Sequence, residues 1–126
     1  MKAAAPSSLT SPKETLTFLE GFYRSVVRLP ADLSARQLAI LLSVYMNPPP
    51  HTVKKLSEEL SISKPAVCRA LDSLSMLGLL KRKRDEKDRR NIFVQRTLKG
   101  SVFLNDLGEM GHSVLKTVFS SQSLSS

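Results

Sequence analysis

Between Val53 and Arg96 the hydrophobic pattern changes period once, at Gly78, and that change limits the fold more than any other feature. Before Gly78 the spacing is helical. Val53, Leu56 and Leu60 turn one face inward, Ser61 and Ile62 make a tight turn, and Ser63 stands where a helix cap is needed. Pro65 lies in the first turn of the next helix, whose buried stripe is Val67, Ala70, Leu71, Leu74 and Leu77. Gly78 supplies the left-handed residue that ends it. Beyond Gly78, LLKRKR and NIFVQR read as two extended segments on either side of DEKDRR, which is the pattern of a hairpin. Helix, turn, capped helix and basic ribbon, in that order, predict a winged helix-turn-helix.

Helices flank this unit. Ser11-Pro12-Lys13-Glu14 has capping-box form and opens a helix with Leu16, Leu19, Phe22, Tyr23 and Val26 on one stripe, ended before Pro30. Ser34 to Gln37 offers a second capping box, for a helix presenting Leu38, Leu41, Leu42 and Tyr45 and stopping at Asn47 before three prolines. Thr97 can cap a last helix to Phe119, with Leu104, Leu107, Gly111, Val114 and Val118 in line and Phe103, Met110 and Leu115 beside them. Gly100, Gly108 and Gly111 each cost that helix about 1 kcal/mol relative to alanine, and would permit close helix contact or a kink. A helix too apolar for one partner needs a second, most simply another copy of the chain. The fold class expected is therefore mainly α with a small β-hairpin wing. Residues 12–119 form a single domain in which helices at 12–30 and 98–119 flank a winged helix at 33–97. Residues 1–11 and 120–126 are small and polar and are expected to be disordered.

The chain carries +8, from nineteen basic and eleven acidic residues. Thirteen of the basic and six of the acidic residues fall between Lys54 and Lys99, so that window holds +7 of the total. Positive charge concentrated on one folded segment points to a polyanion. Other classes find little support. No apolar run is long enough to span a membrane, and the amino terminus lacks a signal-peptide core, which suits a cytoplasmic protein. Cys68 is the sole cysteine, so no internal disulfide or cysteine-rich metal site forms. His51 and His112 lie far apart with no second ligand at metal spacing. No nucleophile–base pair or phosphate-cradling glycine loop is present, so neither an enzyme nor a bound cofactor is expected.

With Val67, Leu71 and Leu74 inward, the opposite face of the helix at 63–77 carries Lys64, Pro65, Cys68, Arg69 and Asp72. Arg69 can reach guanine O6 and N7 with two hydrogen bonds, and Ser63 and Lys64 sit where a helix amino end favours a phosphate. Asp72 would repel phosphate and is expected to orient a basic neighbour such as Arg69. Lys81, Arg82 and Arg84 would face backbone phosphates from the first arm of the ribbon. The bland alternative is a solvated charged face. A different class, a winged helix that docks on polymerase or another regulator, would expose apolar anchors where this chain exposes cations.

The stretch LSISKPAVCRALDSLSMLGLL, from Leu60 to Leu80, followed by RDEKDRRN and RTLKG, resembles the MarR family of bacterial winged-helix transcription regulators. Asp85, Glu86, Lys87, Asp88, Arg89 and Arg90 are similar to the family's Asp-x-Arg-Asp-x-Arg wing, with lysine at the third position. The resemblance, over residues 33 to 100, implies a homodimer with intertwined first and last helices, bound to double-stranded DNA at a pseudo-palindromic operator. Recognition helices at 63–77 would enter successive major grooves, and wings at 79–96 would reach the flanking minor grooves. Lys87 and Arg89 are the implied tip contacts, and Asp85, Asp88 and Arg90 the implied bracing ion pairs. A small-molecule effector cleft near Phe22, Tyr23 and Met46 is implied as well. Ala66 and Cys68 depart from the family's frequent hydroxyl residues, which shifts specificity toward Arg69 and DNA shape.

Overall fold

Every helix begins at a hydroxyl residue whose oxygen takes one of the orphan amide protons of the first turn. The computed structural model describes residues 11–124, with side chains through residue 120. Helix α1 (Pro12–Val26) starts at Ser11, α2 (Ala35–Met46) at Ser34, α3 (Val53–Leu60) at Thr52 and α4 (Lys64–Met76) at Ser63. At Ser34 the box is complete: its hydroxyl accepts from Gln37 N–H and its own N–H donates to the Gln37 side chain. Helix α5 (Leu98–Leu124) is opened by Thr97, whose Oγ1 accepts from Gly100 N–H at 3.0 Å. Each such cap is worth about 1 kcal/mol. Helix α5 continues past the expected end at Phe119 to Leu124. The disorder expected at the two ends falls, for residues 1–10 and 125–126, outside the described residues. Helices α3 and α4 stop at left-handed residues, Ser61 with φ 54° and Gly78 with φ 74°. At Gly78 the Leu79 N–H returns to the Leu74 carbonyl at 2.9 Å, which satisfies a carbonyl of the last turn.

Residues 30–105 form one compact unit. Its core takes Ile40, Leu41 and Val44 from α2, Leu56 from α3, and Val67, Ala70, Leu71 and Leu74 from α4. Burying each large aliphatic residue there contributes about 1.5–3 kcal/mol. The face of α2 differs from expectation: Leu38, Leu42 and Tyr45 are half-buried, and the helix centres instead on Ile40, Leu41 and Val44. The strands β1 (Leu80–Arg84) and β2 (Ile92–Arg96) pair antiparallel, in a register that sets Leu80 opposite Arg96 and Arg84 opposite Ile92. Leu80 and Val94 bury the base of this hairpin among the helices. An isolated bridge beside the hairpin escaped the sequence reading. Thr52 bridges Phe93, and Val94 N–H donates to the His51 carbonyl at 2.8 Å.

Residues 11–29 and 106–124 belong to a second unit. Val114 and Val118 are buried there, and the missing Cβ of Gly21 leaves room for Val114. Among the described residues the apolar stripe of α1 is uncovered: Leu16, Leu19, Phe22, Tyr23, Val26 and Val27 are all exposed. Nothing among the described residues lies within 4 Å of a Cβ added at Gly108 or Gly111, so these glycines make no close helix contact within one copy of the chain. At Gly100 it is present. A Cβ there would overlap the Tyr45 hydroxyl and the Leu79 carbonyl.

Candidate nucleic-acid interface

The amino-terminal half of α4 presents its polar residues outward because its apolar ones are taken by the core. Lys64, Pro65 and Arg69 are exposed and Cys68 is half-buried. Neither Lys64 nor Arg69 makes a side-chain hydrogen bond or ion pair among the described residues, so both cations are available to a ligand. The Ser63 hydroxyl is engaged as the cap, accepting from Ala66 N–H at 3.2 Å. Ala66 itself is 6% exposed and turned into the core.

Asp72 engages a basic neighbour, as expected, but not the one given as the example. Its carboxylate does not orient Arg69; it lies 2.7 Å from the Arg82 guanidinium, which ties α4 to β1. A strand alternates its faces, so Leu80, Arg82 and Arg84 share one side of β1 and Lys81 and Lys83 the other. Leu80 is buried and Arg82 reaches α4, which puts Arg84 on the recognition-helix side of the wing. All four cations are exposed.

The tip between the strands is shaped by its acids. Asp85 Oδ1 accepts from Lys87 N–H at 2.9 Å, and Asp88 Oδ1 accepts from Arg90 N–H at 3.1 Å and from Arg90 Nε at 3.2 Å. The two backbone bonds are turns closed by aspartate side chains, a geometry that short acidic residues favour. Of the bracing ion pairs expected, Asp88–Arg90 is present and Asp85 forms none among the described residues. Asp85 works through an amide, and the side chain of Arg90 is 91% exposed, so its pair with Asp88 is worth about 1 kcal/mol or less. Two further bonds close the loop, from Asp85 N–H to the Asn91 carbonyl and from Asn91 N–H to the Asp88 carbonyl. Lys87 and Arg89 project from this frame, exposed and without side-chain partners among the described residues.

Residues that sequence reasoning missed lie behind the surface. His51 is 3% exposed and neither ring nitrogen has a hydrogen-bond partner among protein atoms. Burial pushes its pKa below the ordinary imidazole value, and Lys55 and Arg96 act in the same sense. The Asn47 backbone and Glu59 oppose the shift, though Asn47 forms no hydrogen bond of good geometry with the ring. No periodicity could have marked this residue. Phe22, Tyr23 and Met46, expected near an effector cleft, are all exposed, and Phe22 stacks on Phe18. Among the described residues there is no group of three or more His, Cys, Asp or Glu able to hold a metal ion, and no helix long and apolar enough to cross a membrane.

The family model described as the MarR family matches residues 31–91. Solved structures share the fold. A MarR-like transcriptional regulator of Thermotoga maritima is 28% identical, with TM-score 0.60 over 88% of this chain and 82% of that one. A second transcriptional regulator of Thermotoga maritima is 26% identical, with TM-score 0.66 over 85% of this chain and 72% of its own. A mutant MarR from E. coli, solved with operator DNA, is 21% identical, with TM-score 0.64 over 90% and 80%. No curated protein matches the chain. Residues 31–91, which hold the helix-turn-helix, the first strand of the wing and its aspartate-framed tip, match the MarR family.

Proposed function

We propose that the protein is a sequence-specific, double-stranded-DNA-binding transcription regulator that acts as a homodimer. Helix α4 would enter the major groove by its amino end, and the wing would lie along the minor groove. One observation carries the reading: among the described residues Lys64 and Arg69 are exposed and unpaired on the same side as Arg84, on a frame whose three aspartates are already engaged by Arg82 and by backbone amides. Phosphates supply the complementary charge, and Arg69 is the residue able to read guanine. Lys87 and Arg89 are the candidates for the minor groove, where negative potential attracts an inserted cation. The uncovered apolar stripe of α1 supports the dimer, because a second copy is its simplest cover.

Selecting bound sequences from random duplexes tests the proposal. A pseudo-palindrome with half-sites about one helical turn apart is the expected result. Affinity for the selected duplex should fall steeply with salt, with a log–log slope of several units; a flat response would remove the DNA reading. Arg69→Ala should cost about 1–3 kcal/mol and relax preference at one base pair. An equal loss on every sequence would make Arg69 a backbone contact instead.

A further inference from the structure

The two roots of the wing meet at one phenol. Tyr45, in the last turn of α2, accepts a hydrogen bond from Thr97 N–H at 2.9 Å. Its hydroxyl proton faces two carbonyls, that of Leu79 at 2.9 Å and that of Thr97 at 3.0 Å. Leu79 is the residue before β1 and Thr97 the residue after β2. The roots are also joined directly, since Thr97 Oγ1 donates to the Gly78 carbonyl at 2.7 Å. Arg96, the last residue of β2, completes the junction. Its Nε and Nη2 donate to the carbonyls of Val44 and Asn47 at 3.0 and 2.8 Å, and its guanidinium stands 5.7 Å from the centre of the Tyr45 ring. Arg96 is therefore occupied by the carboxyl end of α2 and does not belong to the cations offered by the wing. Gly100 keeps this site open, because any side chain there would displace the hydroxyl or the Leu79 carbonyl.

A two-stranded ribbon is marginal by itself, so its direction is set where it is rooted. Five residues at about 3.4 Å each make an arm of roughly 17 Å, and a tilt of roughly 10° at the root then carries the tip about 3 Å sideways. That is enough to take a tip cation out of hydrogen-bond reach of a phosphate or base edge.

We propose that Tyr45 is the positioning residue of the wing: its hydroxyl holds both strand roots at the angle from which Lys87 and Arg89 reach the minor groove. The proposal rests on the DNA-binding reading, and one measurement separates the two. The slope of log affinity against log salt is recorded for the full chain on a duplex recovered by selection, for the wild type, for Tyr45→Phe and for the tip variant Lys87→Ala/Arg89→Ala. Each tip cation removed should lower the slope by about 1. Tyr45→Phe removes no charge, yet it should lower the slope by about 1 to 2 as the tip disengages. Adding it to the tip variant should lower the slope no further. A residue that only stabilises the fold would leave the slope alone. A wild-type slope near zero overturns the DNA reading and this proposal together; a steep wild-type slope retained in Tyr45→Phe overturns this proposal alone. Thr97→Val, also uncharged, cuts the second link between the roots and must lower the slope in the same way should Tyr45→Phe fail to fold.

Discussion

Asp72→Asn takes a carboxylate away from the face of α4 that carries Lys64 and Arg69, and frees Arg82 from the 2.7 Å contact that holds it. Two effects compete. The pair is partly exposed, with 61% of the Asp72 side chain open to solvent, so its loss costs about 1 kcal/mol of stability or less. The wing does not depend on it, because Leu80 and Val94 bury the hairpin base and Tyr45 and Thr97 tie the roots. On the DNA side, the released Arg82 can neutralise one further phosphate, which steepens the salt slope by about 0.9. Referred to 1 M salt, a slope increment of about 0.9 is roughly an eightfold gain in affinity at 0.1 M, or about 1.2 kcal/mol. Asp72→Asn should thus unfold slightly more easily in urea and bind DNA several-fold more tightly, on specific and random duplexes alike. The same substitution in an Arg82→Ala background should give a smaller gain, that of deleting one repulsive carboxylate. Weaker binding by Asp72→Asn would refute the reasoning and make the Asp72–Arg82 pair a brace for the DNA-competent geometry.

Three other perturbations follow from the described geometry. Burial lowers the folded pKa of His51 below the ordinary 6.5; stability is fully present above that value and falls as pH drops toward the folded pKa. Urea midpoints should decline over that window in the wild type and stay level in His51→Leu, which also removes two buried nitrogens without partners; equal decline in both would assign the pH dependence elsewhere. Gly100→Ala should destabilise by about 1–3 kcal/mol through overlap at Tyr45 and Leu79 despite the gain in helix propensity, and a urea midpoint unchanged from wild type would contradict the packing described there. Light scattering should give twice the 13.9 kDa chain mass, and Leu19→Glu with Phe22→Glu should shift it toward a single chain if the α1 stripe is the dimer face.

Local signals proved readable where their physics is local. Ser11, Ser34, Ser63 and Thr97 each cap the helix assigned to them, because a cap is decided within about four residues. Gly78 ends α4 for the same reason. The facing of α2 was harder: LAILLSVYM is apolar nearly all round, so its period does not single out one side. Asp72 was expected to orient a basic neighbour, with Arg69 as the example. The neighbour is Arg82: spacing along one helix is visible in a sequence, whereas a salt bridge to a neighbouring strand is not. Tyr45 was placed among core residues. Its phenol bonds Leu79 and Thr97 across 34 and 52 positions, a link that no local pattern records. Of the interface, the cations were legible one by one. Which of them are already engaged, Arg82 and Arg96 in particular, emerged only from the packed chain.

The acids that frame the wing tip also divide its work in time. Asp85, Glu86 and Asp88 balance Lys87, Arg89 and Arg90, so the tip as a whole is electrically neutral. A balanced cluster has a field that dies away within a few ångströms, and it cannot draw in a distant polyanion. The arm from Lys81 to Arg84, four cations in succession, supplies the long-range pull. For the proposed DNA partner, charge changes in the arm would then alter how fast complexes form, and changes in the tip how long they last.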